Sequence, residues 1–235
     1  EMIDMVTTPD GSLVAMVHCN NCTSDLNAWI NLFKEYQELL GIPVDMNELY
    51  GKLYNHALTG DADCGGLISY NYISGEPVTG LADGRPLFVR SANDKFNLAN
   101  FMRTHLYASV GVLKIGNDIL YNEEKIKVDR ITGHGGLFKT KGVGQRILAA
   151  AINSPISVME TAGEGGAWGI ALLGSYLVYN EKKQSLTDFL EEKVFTGDAG
   201  IEVSPTAEDV AGFNTYIENY KSGLPVEEAA AQFKK

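Results

Sequence analysis

The hydrophobic positions of this chain change period several times, and each change predicts an element. Ile3-Asp4-Met5-Val6 and Leu13-Val14-Ala15-Met16-Val17 flank the turn-forming residues Pro9-Asp10-Gly11-Ser12. Proline presets φ, aspartate bonds its own backbone and glycine takes the left-handed conformation, so Met2 to Cys19 is predicted as a β-hairpin. Leu26, Trp29, Ile30, Phe33 and Leu40 then recur at helical spacing behind Asp25, a candidate N-cap, until Gly41 and Pro43 end the run. A second short helix is predicted from Met46 to Leu58, and a loop from Gly60 to Gly66. Leu67 to Ile73 has strand composition, Ser74 to Gly84 is rich in turn residues, and Pro86 to Arg90 is another strand candidate. From Asn97 to about Tyr121 a long helix places Leu98, Phe101, Met102, His105, Leu106, Val112 and Leu113 near one face.

Beyond residue 127 the pattern alternates. Val128 to Ile131 and Ile156 to Met159 read as strands, each followed by a helix, Val143 to Ile152 and Gly166 to Tyr179. Strand-helix-strand-helix order implies a parallel βαβ unit. The last third is amphipathic and helical, over Leu186 to Phe195, Ala207 to Tyr220 and Val226 to Phe233. The whole order predicts an α/β domain in which antiparallel strands lead into parallel ones within one mixed sheet, with helices on both faces. The ribonuclease H-like fold and the halves of actin-like ATPases have this order. Periodicity alone does not separate them from other α+β or α/β folds.

Composition narrows the function classes. At 235 residues the chain is long enough for a substantial core. Its net charge of -11 argues against nucleic acid as a partner, because such binding rests on neutralising phosphates. Any phosphate bound here has to be captured by local groups against the global field. No apolar run approaches the roughly 20 residues of a membrane helix. Three cysteines fit a reducing, cytoplasmic setting. The acidic start Glu1-Met2-Ile3-Asp4 is no secretory signal, and reads as a cut within something longer.

The strongest candidate chemistry is the stretch Ile131 to Arg146, ITGHGGLFKTKGVGQR, with five glycines from Gly133 to Gly144. After a strand, glycines let the backbone turn tightly and approach a ligand, and a following helix N-terminus offers free N–H groups to an anion. A nucleotide or phosphate loop and a ligand-free strand-to-helix loop both fit. Two familiar templates fail. GxxxxGK followed by Ser or Thr is absent, and Phe138 stands where the dinucleotide pattern needs its third glycine. A second cluster, Thr161-Ala162-Gly163-Glu164-Gly165-Gly166-Ala167-Trp168-Gly169, follows the next strand, so both loops are expected at one sheet edge, where α/β ligands bind. Close helix packing is the plainer role for Gly166, Gly169 and Gly174.

The remaining motifs favour plain readings. Cys19-Asn20-Asn21-Cys22 beside His18 lacks the second pair a metal site wants, so buried, reduced cysteines are expected. His105 on an apolar face reads as a core residue. His134 fits either an anion contact or solvent, and His56 has no partner pattern. No serine stands in a nucleophile elbow. Glu123-Glu124 and Glu191-Glu192 read as solvated helix ends.

Several segments resemble one family. Gly133-His134-Gly135-Gly136 followed by Gln145-Arg146-Ile147-Leu148-Ala149 is similar to the "GGGA…RQILAD" segment of FGGY-family carbohydrate kinases. Gly169 to Tyr176 resembles that family's "GAALLAAY" helix, Tyr72 to Glu76 its "YLSGER" segment, and Phe213, Tyr216 and Tyr220 its closing helix. The order is right and spans most of the chain. The xylulokinase-like and ribulokinase-like members are nearest.

The resemblance implies an ATP- and Mg2+-dependent sugar kinase of the actin-like ATPase superfamily, built of two ribonuclease H-like domains and forming a homodimer. Residues 1–235 would be the C-terminal domain alone, without the N-terminal domain and without its own first strand and phosphate loop. Gly133, Gly135 and Gly136 would contact the nucleotide, with Lys139 and Thr140 lining the same pocket and Asn97 as a further candidate. The glycine loop is about two residues longer than usual, through Phe138 to Lys141. The long helix has Ala108, Ser109 and Val112 in place of the family's Arg-Ala…Glu-Gly. The family's catalytic aspartate lies in the N-terminal domain, so this chain alone is expected to be inactive and assigns no catalytic residue. A rival reading is a non-catalytic actin-like module that senses a nucleotide or sugar, or mediates dimer contacts. The upstream sequence discriminates: a base-like aspartate there favours the kinase, a DNA-binding helix-turn-helix the sensor.

Overall fold

The computed structural model describes residues 3–159, 165–181, 183–196 and 200–233. The opening hairpin forms as its turn residues require. β1 (Asp4–Thr7) pairs antiparallel with β2 (Leu13–Met16), Asp4 opposite Met16. The Thr8 N–H donates to the Ser12 carbonyl at 2.9 Å, and Gly11 turns the chain at φ +89°.

α1 (Ser24–Leu39) begins behind Thr23, not behind the expected cap Asp25. The Asp25 side chain is taken into the interior, where its carboxylate lies 3.6 Å from His105 Nδ1. α2 (Met46–Ala57) has a true cap: the Asp45 carboxylate accepts from the N–H groups of Asn47 and Glu48 at 2.8 and 3.1 Å. β3 (Ile68–Tyr70) is fully buried and pairs antiparallel with β4 (Leu87–Val89).

The organising element is α3 (Leu98–Asp118), buried at every residue from Ala99 to Val112. It packs on α1, α2 and β3. A helix buried all round needs its polar side chains bonded. Asn100 donates to Asp61 Oδ2 at 2.8 Å and Thr104 donates to the Leu67 carbonyl at 3.0 Å. At Gly116 any Cβ would collide with Val17, so glycine lets the hairpin close onto α3.

The second half alternates as predicted: β5 (Ile131–Thr132), α4 (Val143–Ile152), β6 (Ile156–Val158), α5 (Gly165–Tyr179) and α6 (Leu186–Lys193). β5 and β6 are parallel neighbours, Ile131 opposite Ile156. The helical last third is interrupted by an unexpected strand, β7 (Ile201–Val203), antiparallel to β6. α7 (Ala207–Ala231) runs unbroken through Pro225, where two helices were expected. A proline inside a helix costs about 3 kcal/mol. Here both flanks are anchored: the Tyr220 ring packs 4.7 Å from Tyr70, and buried Glu227 accepts from the Arg85 N–H at 2.6 Å.

The predicted single mixed sheet does not form. Among the described residues the strands divide into three separate sheets: β1 with β2, β3 with β4, and β5-β6-β7. β3 is held by helices instead, through Thr104 on the Leu67 carbonyl and the Tyr70 hydroxyl on the Tyr220 carbonyl at 2.9 Å. The strand expected at Val128 to Ile131 is reduced to Ile131–Thr132, its earlier residues being exposed. Thr161 to Glu164 of the second glycine cluster lie outside the described residues. Gly166, Gly169 and Gly174 have open space where a Cβ would stand, so close helix packing does not explain them. Among the described residues no helix is long and apolar enough to cross a membrane.

Candidate functional site

Each glycine of the 133–144 stretch has its own reason. The Gly133 N–H donates to the Ser157 carbonyl at 2.8 Å, so the loop leaves β5 still bonded to β6. A Cβ on Gly133 would stand 2.6 Å from the Phe138 ring. Gly135 has φ +105° and Gly142 φ +81°, a region L side chains rarely adopt. Between them Gly136–Phe138 forms a 3-10 turn, closed by Phe138 N–H on the Gly135 carbonyl at 3.1 Å. Gly144 in the first turn of α4 lies against the Leu137 carbonyl, 2.6 Å from where a Cβ would be. The loop therefore rests directly on the start of the helix that follows it.

One face of this loop looks into a cleft of about 580 Å³. Gly136, Lys139, Thr140 and Lys141 form one wall. Thr23 and Asn27 of the start of α1, with Asn47, Tyr50 and Tyr54 of α2, form the other. The second wall is pre-ordered. The Tyr50 hydroxyl donates to Asn27 Oδ1 at 2.9 Å, and the Tyr50 and Tyr54 rings meet edge to face at 5.7 Å. Its ligating groups are hydroxyls, amides and ammoniums; among the described residues no carboxylate lines it. Such a cleft suits a polyanion with a flat, partly apolar part.

Of the residues singled out in the sequence, Gly136, Lys139 and Thr140 lie on the cleft. Gly133 and Gly135 shape the same loop from behind. Asn97 is the N-cap of α3, its Oδ1 accepting from the Asn100 N–H at 2.9 Å, and it does not line the cleft. A polar residue ahead of a helix serves as cap or as ligand contact, and here the cap uses it. The wall from α1 and α2 was not anticipated. Thr23, Asn27, Asn47 and Tyr50 are ordinary helix-surface types, and the fold brings them to the glycine loop from roughly 90 to 120 residues away.

His134 is exposed, and its Nδ1 lies 3.1 Å from where a Cβ on Gly165 would stand, so the loop touches the start of α5. The cysteines are free: Cys64 is buried, Cys19 half-buried and Cys22 exposed, the last against expectation. Burial, with Glu76 and Cys22 nearby, pushes the Cys19 thiol up to about 12, so it does not suit a nucleophile. His105 is a core residue, as expected. Burial lowers its pKa to about 3, and its Nδ1 is 2.9 Å from the Ser69 hydroxyl.

One ion cluster, around a buried carboxylate, was not legible in the sequence. Asp209, at the start of α7, lies between Arg103 of α3 and Arg146 of α4, with contacts of 2.6 Å to Arg103 Nη2 and 2.7 Å to Arg146 Nε. Burial pushes the Asp209 carboxyl up, but bonds from Arg146, Arg103 and Thr206 outweigh it and leave the pKa at about 2.

Comparison with known proteins agrees with this architecture. Residues 1–178 match the family model "FGGY family of carbohydrate kinases, C-terminal domain". No curated protein matches the chain in sequence. Among solved structures, a xylulose kinase from Rhodospirillum rubrum is similar over 96% of this chain and 43% of that one, at 16% identity and TM-score 0.62. A xylulose kinase from Bifidobacterium adolescentis is similar over 93% and 38%, at 15% identity and TM-score 0.58. A gluconate kinase from Lactobacillus acidophilus is similar over 77% and 34%, at 21% identity and TM-score 0.57. The chain thus spans well under half the length of each of these kinases. The match covers most of the chain, and the chain belongs to the FGGY family of carbohydrate kinases, as its C-terminal domain.

Proposed function

We propose that this domain is the nucleotide-binding half of an ATP-dependent kinase that phosphorylates a pentulose such as xylulose. The observation that carries the reading is the cleft itself. A glycine-built loop after β5 presents Gly136, Lys139, Thr140 and Lys141 to the Tyr50–Asn27 wall. The donor set fits a nucleotide. The ammonium groups of Lys139 and Lys141 attract phosphate in a chain of net charge -11. The hydroxyls of Thr23 and Thr140 offer further donors, and the rings of Tyr50 and Tyr54 offer apolar surface to a base.

ATP brings the phosphoryl group to be transferred. This chain's residues orient it and exclude water around it. Among the described residues no carboxylate lines the cleft, so any Mg2+ here would be held through the nucleotide's own phosphates and water, with only the amide oxygens of Asn27 and Asn47 on offer from this wall. Among the described residues no three His, Cys, Asp or Glu side chains gather as a metal site either.

The general base and the sugar contacts belong, in this reading, to an N-terminal domain of the same polypeptide. The resemblance to kinases more than twice as long supports that division. An actin-like, ribonuclease H-like sheet would be completed on the outer edge of β1, beside a groove lined by the apolar Ile3, Met5, Ala15, Ile126 and Val128 and by the charged Asp118, Glu123, Glu124 and Lys221. A pentulose acceptor is supported by the xylulose kinases among the similar structures. A sugar panel on the full-length protein, read as ADP released, tests it. Xylulose or another pentulose is expected to give the highest kcat/KM; preference for glycerol or gluconate would overturn the acceptor.

A further inference from the structure

The Arg103–Asp209–Arg146 cluster lies outside the cleft, yet it reaches both of its walls. Asp209 is saturated. Its Oδ1 accepts from Arg103 Nη2 at 2.6 Å and Arg146 Nη2 at 3.1 Å, and its Oδ2 accepts from Arg146 Nε at 2.7 Å and the Thr206 hydroxyl at 2.8 Å. Both Arg103 and Asp209 side chains are almost wholly buried, at 2% and 3% exposure. Two guanidinium groups around one buried carboxylate form a costly arrangement unless geometry holds all three.

Each arginine leads to a different wall. Arg146 is the fourth residue of α4, and its N–H donates to the Gly142 carbonyl at 3.0 Å. The same first turn supports the loop: Gly144 abuts the Leu137 carbonyl, and the Val143 N–H donates to the Thr140 carbonyl at 3.3 Å. Arg103 extends the other way. Its Nη1 donates to the Gly60 carbonyl at 3.1 Å, and Gly60 is itself bonded to Ala57, the last residue of α2. Arg103 Nη2 also donates to the Tyr107 hydroxyl at 2.9 Å, which in turn donates to the Ala62 carbonyl at 2.9 Å.

We propose that Asp209 is a positioning residue that sets the width of the nucleotide cleft by tying the glycine-loop wall, through Arg146, to the α2 wall, through Arg103 and Gly60. The inference rests on the nucleotide reading of that cleft. It assigns Asp209 no contact with substrate. Its effect falls on nucleotide affinity and not on the sugar.

The test uses the full-length protein and compares wild type, Asp209→Asn and Ser185→Ala. Ser185 caps α6 away from the cleft, so its loss lowers stability alone. ATP affinity is measured by calorimetry and KM for ATP and sugar by turnover, with melting temperature recorded for each. Asp209→Asn is expected to weaken ATP about tenfold with sugar KM unchanged, while Ser185→Ala lowers the melting temperature at unchanged ATP affinity. If Asp209→Asn does not fold, Arg146→Gln replaces it, with the same expectation. Wild-type ATP affinity in the folded variant would overturn the positioning role alone. A wild-type protein that binds no ATP would overturn the nucleotide reading, and this inference with it.

Discussion

The Tyr50 hydroxyl donates to Asn27 Oδ1 at 2.9 Å, joining α2 to the first turns of α1 at the wall facing the glycine loop. The bond fixes the ring and spends one acceptor of the amide. Tyr50→Phe removes it without changing shape. The expected cost is about 1 kcal/mol of stability, measured by denaturant unfolding, with ATP affinity reduced a few-fold by calorimetry. Lower stability with unchanged affinity would make this bond a scaffold contact only.

Gly135 holds φ +105° at the base of the loop that carries Gly136, Lys139 and Thr140. A β-branched side chain is strained there by about 1–3 kcal/mol. Gly135→Val is therefore expected to reshape the loop and weaken ATP binding by tenfold or more, while circular dichroism stays native. Wild-type affinity in a folded variant would remove this loop from the nucleotide site.

Much of this was legible in the sequence where local chemistry and tertiary packing agree. Pro9-Asp10-Gly11 specifies the first turn by itself, and α3 declares its boundaries through Asn97 and its apolar run. The glycine loop was legible for the same reason, since φ above +80° at Gly135 and Gly142 demands glycine. What stayed hidden depends on distant partners. β7 is three residues long and exists because β6 offers an edge and Gln145 donates to the Ile201 carbonyl at 2.6 Å. Asp25 looked like a cap because its competing partner, His105, lies eighty residues away. Asp209 is an acid in the first turn of α7. Only folding shows that two arginines converge on it.

His105 gives the protein a pH-dependent term. Its pKa falls from the ordinary 6.5 to about 3 because burial disfavours the charged ring, which touches Trp29, Phe88 and Phe101. The folded state then binds fewer protons than the unfolded one below pH 6.5. The stability is fully present above that pH and is lost as pH falls toward 3. Between pH 7.5 and 5.5 the His105 term is expected to fall by about 1.4 kcal/mol. Urea unfolding at both values, with His105→Gln as comparison, measures it. An equal pH slope in the variant would contradict a buried neutral ring.

The isolated chain is expected to consume no ATP with any sugar, because among the described residues no carboxylate lines the cleft to serve as base. A coupled ADP assay on purified chain checks this. Sugar-dependent turnover above background would mean that the reacting groups lie within these residues.

The most direct measurement is a crystal structure of the full-length protein with a non-hydrolysable ATP analogue. The account predicts the analogue between the Gly136–Lys139–Thr140 wall and the Tyr50–Asn27 wall, with its phosphates toward the lysines. An analogue bound elsewhere on this domain, with the cleft filled only by solvent, would contradict it.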